Sequence, residues 1–206
     1  MALRIVETDG ARGVSAGTFA HALVGANGAP ASKLQGFENA LVGADVDVAL
    51  VKFCHVDVEA GTDARALFAR YQETLAALRA RHPRTTFVHV TVPLTAIQGG
   101  VKAIVKRLTG RAPAGVIENA RREEFNELLR RAVRGKEPLF DLAEVESTAP
   151  DGARATHEWG GRAVPALVPQ YTDDGGHLAG EGRARAARQL VAVLAAASRG
   201  GAFTAR

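Results

Sequence analysis

Asp174 and His177 stand three residues apart in the stretch Asp174-Gly175-Gly176-His177-Leu178-Ala179-Gly180-Glu181-Gly182, just ahead of the last helical pattern of the chain. A carboxylate and an imidazole at that spacing can do general-base chemistry. The carboxylate accepts from one ring nitrogen and fixes the tautomer, leaving the other nitrogen to take a proton from a nucleophile. The glycines loosen the loop enough to aim both side chains into a cleft. The same spacing also suits a plain Asx-type turn that caps the helix and leaves His177 exposed. Because Asp-x-x-His is a short pattern, spacing alone leaves these two readings even.

A nucleophile is harder to find. Gly13-Val14-Ser15-Ala16-Gly17 matches the G-x-S-x-G nucleophile elbow, and the order Ser15, Asp174, His177 agrees with α/β-hydrolases. An elbow needs a strand directly before its serine and a helix directly after. Here Asp9–Val14 separates Ser15 from the strand pattern Leu3–Glu7, and Thr18–Val24 reads as a strand. In a chain rich in Gly and Ala a chance match is the better reading, so Ser15 is the second-choice nucleophile. Cys54 is the single cysteine and lies in an apolar run, where a buried inert thiol is expected. It excludes an intrachain disulfide framework, and no Cys/His cluster has zinc-ligand spacing.

The elements that would position these residues alternate along the chain. Strand patterns fall at Leu3–Glu7, Phe19–Val24, Val46–Phe53, Thr86–Val92 and Pro138–Leu142, and helix patterns at Ala31–Val42, Asp63–His82, Ile117–Val133 and Gly182–Ala197. The runs Val46–Phe53 and Thr86–Val92 are β-branched and nearly continuous, as strands covered on both faces are. The fold class expected is therefore α/β, a mainly parallel sheet between helices, in one domain spanning 1–206. The stretch Ser147–Tyr171 has no clear periodicity and is expected as a long loop forming one wall of a cleft beyond the carboxyl ends of the strands. With aromatics at 5%, the core is expected to rest on Val, Leu and Ala.

The charged residues read as surface. Arg121 and Arg122 with Glu123 and Glu124 look like charge pairing on a helix face, and Lys102, Lys106, Arg107 and Arg111 like a solvated one. The formal charge of +4 is spread without a dense basic run, which argues against nucleic acid. No apolar run reaches the roughly 20 residues of a membrane span, and the first residues are too polar for a signal peptide. As written the chain reads as cytoplasmic; residues missing upstream would make secretion or a periplasmic location an alternative. His89 and His157 have no partner legible from sequence, and Trp159 suits anchoring of its loop better than lining an acyl pocket.

Around Asp174-Gly175-Gly176-His177-Leu178, with Gly182 opening a long helix, the chain resembles the last conserved block of the SGNH (GDSL-like) hydrolases, whose fold is a flavodoxin-like three-layer α/β/α. The order of elements from about Phe19 onward is similar to theirs. It runs from a strand through the turn Gly25-Ala26-Asn27-Gly28 and a helix to a strand ending Phe53-Cys54-His55-Val56-Asp57. The resemblance implies a serine acyl hydrolase of the esterase or deacetylase class, acting on a small-molecule or carbohydrate ester, with His177 as base and Asp174 as its orienter. No metal or organic cofactor is implied. It also implies an oxyanion hole partly built from a backbone N–H at the glycine turn, where Gly28 is the best match with Asn27 beside it. Plain Asn-Gly turn chemistry explains that turn as well.

Two departures from the family pattern stand out. The Gly-x-Asn element after the third strand is absent; His55 occupies the region and is the substitute donor, or simply a histidine satisfied at a strand end. The serine that follows the family's first strand is absent too. The simplest account is that this strand–serine–helix unit is missing from the chain by truncation, which would leave a sheet edge exposed and make hydrolase activity weak or absent unless residues are restored upstream. Alternatives are a non-catalytic ligand-binding module on the same fold and an α/β-hydrolase working through Ser15.

Overall fold

A computed structural model describes residues 3–100, 106 and 108–199. Lys102 and Arg107 of the expected basic helix face lie outside the described residues. The central sheet is β3 (Val48–Leu50), β4 (Thr86–Val90) and β5 (Leu139–Phe140), in that order and parallel throughout. Alternation along β4 separates its two faces. Phe87 joins the core beneath α1 (Pro30–Ala40), α2 (Ala64–Arg81) and α3 (Val116–Val133). Val88 and Val90 join a second core with Phe140, under the last helix (Gly180–Ala197). The result is a three-layer α/β/α arrangement, as the alternating strand and helix patterns imply.

β1 (Arg4–Glu7) and β2 (Thr18–His21) pair in parallel as a separate two-stranded sheet. Their loop is tied to α1 by the Ala11 N–H on the Ala40 carbonyl, 2.9 Å. The turn that follows uses two left-handed glycines, Gly25 at φ 62° and Gly28 at φ 78°. α1 then starts at Pro30, a residue suited to the first turn because its missing N–H is unneeded there. α2 starts at Asp63, whose carboxylate accepts from Arg65 N–H and Ala66 N–H.

Three sequence expectations differ from the structure. Pro138–Leu142 does not continue as a strand. Asp141 instead accepts from Glu144 N–H and starts the short helix α4 (Leu142–Ser147), because a helix cap satisfies backbone donors that a sheet end leaves open. The stretch read as a loop contains an antiparallel hairpin, β6 (Thr156–Trp159) and β7 (Arg162–Pro165). It turns at Gly160 and Gly161, both at positive φ, which is the backbone a tight hairpin turn needs. The core centre is also more aromatic than the composition suggests: Phe125, fully buried, meets Phe53, Phe68 and Tyr71 with ring centroids 5.7–6.0 Å apart.

The last helix, α5, begins where Gly182 lies against Tyr171. A Cβ on Gly182 would sit 2.5 Å from Tyr171 Cβ and 2.9 Å from its carbonyl oxygen. Tyr171 is fully buried and its hydroxyl donates to the Thr148 carbonyl, so it has little room to yield. Gly182→Ala is therefore expected to cost about 1–3 kcal/mol, the range for overpacking. It would also push out the loop between Tyr171 and α5. Thermal unfolding checks it, and an unchanged Tm would contradict this packing.

Candidate active site

The loop between Tyr171 and α5 is closed by an antiparallel bridge of Thr172 with Leu178 and by Ala179 N–H on the Tyr171 carbonyl. Inside it, Asp174 uses both oxygens. Oδ1 accepts from the N–H groups of Gly176, 2.8 Å, and His177, 2.7 Å, which is an Asx turn. Oδ2 lies 2.6 Å from His177 Nδ1. The two readings of the Asp-x-x-His pattern thus hold together, one on each oxygen. The Gly176 N–H, then the His177 side chain and N–H, hold the Asp174 carboxyl far below the usual carboxylate range. An ionised acceptor on Nδ1 leaves Nε2 as the imidazole's working nitrogen. The His177 and Asp174 side chains are 72% and 57% exposed.

His55 comes to this loop from the far side of the sheet sequence. It opens a 3-10 turn, His55–Asp57, just past the end of the β3 run. Its ring packs edge-on against His177, centroids 5.3 Å apart. A Cβ on Gly176 would stand 3.0 Å from His55 Cε1, so glycine there is what lets the loop close on the ring. Burial lowers the His55 pKa, helped by the charges of Arg122, His177 and Lys52. Cys54, expected as a buried inert thiol, is half-buried instead, with Sγ 3.8 Å from His55 Nδ1. It caps the 3-10 turn rather than lying within a covered strand.

The other expected site residues are engaged elsewhere. The Gly28 N–H donates to Asp57 Oδ1 at 2.8 Å, and Asn27 Oδ1 accepts from Lys33 Nζ at 2.8 Å. Asp57 is fully buried; it also accepts from Cys54 N–H and pairs with Lys33 at 2.6 Å. Asn27, Gly28, Val56, Asp57, Glu59 and Thr62 line an open depression of about 420 Å³ on this side. Ser15 makes its contacts with Arg4 and Thr18, within the β1–β2 unit. Sequence reasoning missed the floor of the site. Arg122, read as surface charge, is 3% exposed and donates to the His55 carbonyl. Ala96 N–H meets the Gly175 carbonyl at 2.8 Å, which joins the segment after β4 to the Asp174–His177 loop. The spacing Asn119, Arg122, Asn126 on one face of α3 was the available signal.

Beneath that segment Glu146 is 2% exposed and accepts from Leu94 N–H at 2.6 Å. Burial raises its pKa from 4.5 to about 8. The folded chain therefore keeps a proton that the unfolded chain releases, so this contribution to stability is fully present below the ordinary value. It is lost as pH rises through the folded one. Unfolding free energy is expected to fall by on the order of a few kcal/mol across that window. Glu146→Gln should flatten the slope in denaturant titrations, and a slope unchanged by the substitution would contradict it.

No helix among the described residues is long and apolar enough to cross a membrane. No protein-family model matches the chain, and no curated protein does. Solved structures do. A protein assigned as a platelet activating factor from Streptococcus pneumonia aligns over 86% of this chain and 72% of its own, at TM-score 0.58 and 13% identity. A GDSL-like lipase from Bacteroides thetaiotaomicron aligns over 87% and 77%, at TM-score 0.54 and 18% identity. An acylhydrolase from Bacteroides fragilis aligns over 88% and 76%, at TM-score 0.52 and 15% identity. At such identities the likeness is one of architecture, and by its architecture this chain is an SGNH-like α/β/α fold of the kind GDSL-like lipases and acylhydrolases have.

Proposed function

We propose that the site is that of an acyl hydrolase acting on esters of small-molecule or carbohydrate alcohols. The observation that carries this reading is the Asp174–His177 pair, 2.6 Å apart, on an imidazole whose side chain is largely exposed. His177 Nε2 takes the proton of the attacking hydroxyl and returns it to the leaving alcohol; Asp174 holds the ring and stabilises the imidazolium formed between those steps. His55 is the oxyanion donor in this reading. A neutral His55 whose Nδ1 accepts from the Cys54 thiol would present Nε2–H, as a polarising imidazole must. Gly28 and Asn27 would act from the neighbouring depression, and Gly28 would have to release Asp57 to donate.

Ser15 is the hydroxyl the sequence offers for attack, although its present partners are Arg4 and Thr18. Labelling the chain with a fluorophosphonate probe and mapping the peptide tests the whole reading. Label at a serine, lost in His177→Ala, supports it; label at Ser15 assigns the nucleophile. A folded chain that takes no label and turns over no p-nitrophenyl acetate contradicts it. One observation favours a second reading, a ligand-binding module on the same fold: no hydroxyl or thiol among the described residues is hydrogen-bonded to His177. In that reading His177→Ala leaves ligand affinity largely intact.

A further inference from the structure

Arg122 sits where a cation is costly. It is 3% exposed in the second turn of α3, and a buried guanidinium is tolerated only when its N–H groups are met and its charge is compensated. Its Nε donates to the carbonyls of His55, 3.1 Å, and Val58, 3.0 Å. Nη1 donates to Thr95 Oγ1, 2.9 Å, and Asn119 Oδ1, 2.7 Å. All four partners are neutral oxygens; burial lowers the Arg122 pKa, and the carboxylates of Glu118, Glu59 and Glu146 offset its charge from beyond hydrogen-bond contact.

Its neighbours on the helix explain what it holds. Asn119 and Asn126 are fully buried on the same face. Asn119 exchanges two hydrogen bonds with the Thr95 backbone and Asn126 two with that of Val92. The side-chain amides act there as strand partners for a segment that has run past the end of the β4 ladder. The next residue, Ala96, is the one bonded to Gly175. Arg122 thus stands between the turn that carries His55 and the segment that anchors the Asp174–His177 loop. A shift of about 1 Å between those two walls would misplace groups that must act together.

We propose that Arg122 is the positioning residue of this site: it keeps the His55 turn in register with the Asp174–His177 loop, and its buried charge acts on the His55 ring. The field at that ring has identifiable sources. Arg122 faces His55 from α3, Lys52 from the end of the β3 run, and His177 and Asp174 from the loop, with Cys54 alongside. After burial, Arg122 is the largest influence keeping His55 neutral, and Asp174 opposes it. The catalytic consequence rests on the hydrolase reading above; the positional one does not.

The test uses the whole chain with Arg122→Gln and Arg122→Lys. Two readouts are taken: the pH titration of the His55 and His177 ring protons by NMR, and hydrolysis of p-nitrophenyl acetate. In Arg122→Gln the His55 midpoint is expected to move to higher pH, and kcat to fall by on the order of 10²-fold with little change in KM. In Arg122→Lys the charge remains while the fork geometry is lost, so the midpoint stays near that of the unaltered chain and kcat remains low. A purely structural staple would lower Tm in Arg122→Gln and leave the His55 midpoint where it was. A folded Arg122→Gln chain with unchanged midpoint and unchanged kcat overturns the proposal. Should the Gln variant not fold, Arg122→Lys decides: kcat at the level of the unaltered chain overturns it, and reduced kcat with an unmoved midpoint supports it. If the unaltered chain hydrolyses no ester, the hydrolase reading fails by itself, and the His55 midpoint alone then decides the role of Arg122.

Discussion

On the hydrolase reading, His177→Ala is expected to lower ester hydrolysis by on the order of 10⁴-fold, because it removes the group proposed to accept the nucleophile's proton. Asp174→Asn should cost about 10²–10⁴-fold, since an amide on Nδ1 no longer selects the tautomer or stabilises the imidazolium. Asp174 differs from a buried triad aspartate in being held by the N–H groups of Gly176 and His177. Asn keeps an oxygen for those bonds, so the loop should persist in the Asn variant and the loss should appear in kcat. Stopped-rate assays on p-nitrophenyl acetate would measure both. If His177→Ala retained more than about a tenth of the activity, some other group would be the base and the pair would be only an Asx turn with a histidine on it. Because both side chains are largely exposed, their pairing adds little to stability. Neither variant should move Tm by more than about a degree or two.

Asp57→Ala should produce the largest loss of stability, about 3–5 kcal/mol. The carboxylate has no solvent exposure and meets Lys33 Nζ at 2.6 Å, Cys54 N–H at 2.6 Å and Gly28 N–H at 2.8 Å. Removing it strands a buried ammonium and two backbone donors together, and each orphaned group carries its own desolvation cost. In a chain of this length that corresponds to a fall in Tm on the order of 10 °C. The double variant Lys33→Met with Asp57→Leu should recover part of the loss, since the charge and its partner leave together while the Gly28 and Cys54 N–H groups stay unmet. Equal Tm values for Asp57→Ala and the unaltered chain would show the cluster to be solvated in solution. The same cluster joins the Gly25–Gly28 turn to the turn bearing His55, so Asp57→Ala should also disturb the site.

Much of the fold was readable from local pattern. The apolar stripe Leu67, Tyr71, Leu75 and Leu78 identifies α2, and the β-branched runs identify β3 and β4, because those signals repeat at the period of the backbone itself. The Asp174–His177 geometry was readable for a related reason: every bond that makes it is closed within three residues, so the turn's own stereochemistry brings the two side chains together. The hairpin β6–β7 was missed although Gly160-Gly161 marks it, because its strands are too short and too exposed to alternate clearly.

By itself, then, the amino-acid sequence determined the main alternation of helices and strands, though not α4 or the β6–β7 hairpin, the parallel three-layer plan, and the internal geometry of one carboxylate–imidazole loop. All of these depend on neighbours within a turn or a strand. Only the tertiary structure decided what that loop faces. It brought His55 across from the end of β3, turned the Gly28 N–H onto a buried Asp57, and kept Ser15 with Arg4 and Thr18. It also took Arg122 out of a helix that reads as a salt-bridged surface and buried it beneath the site. A charged residue on a helix carries no mark of which face will be covered. That depends on burial and on oxygens supplied from residues 55, 58 and 95, which no local window contains.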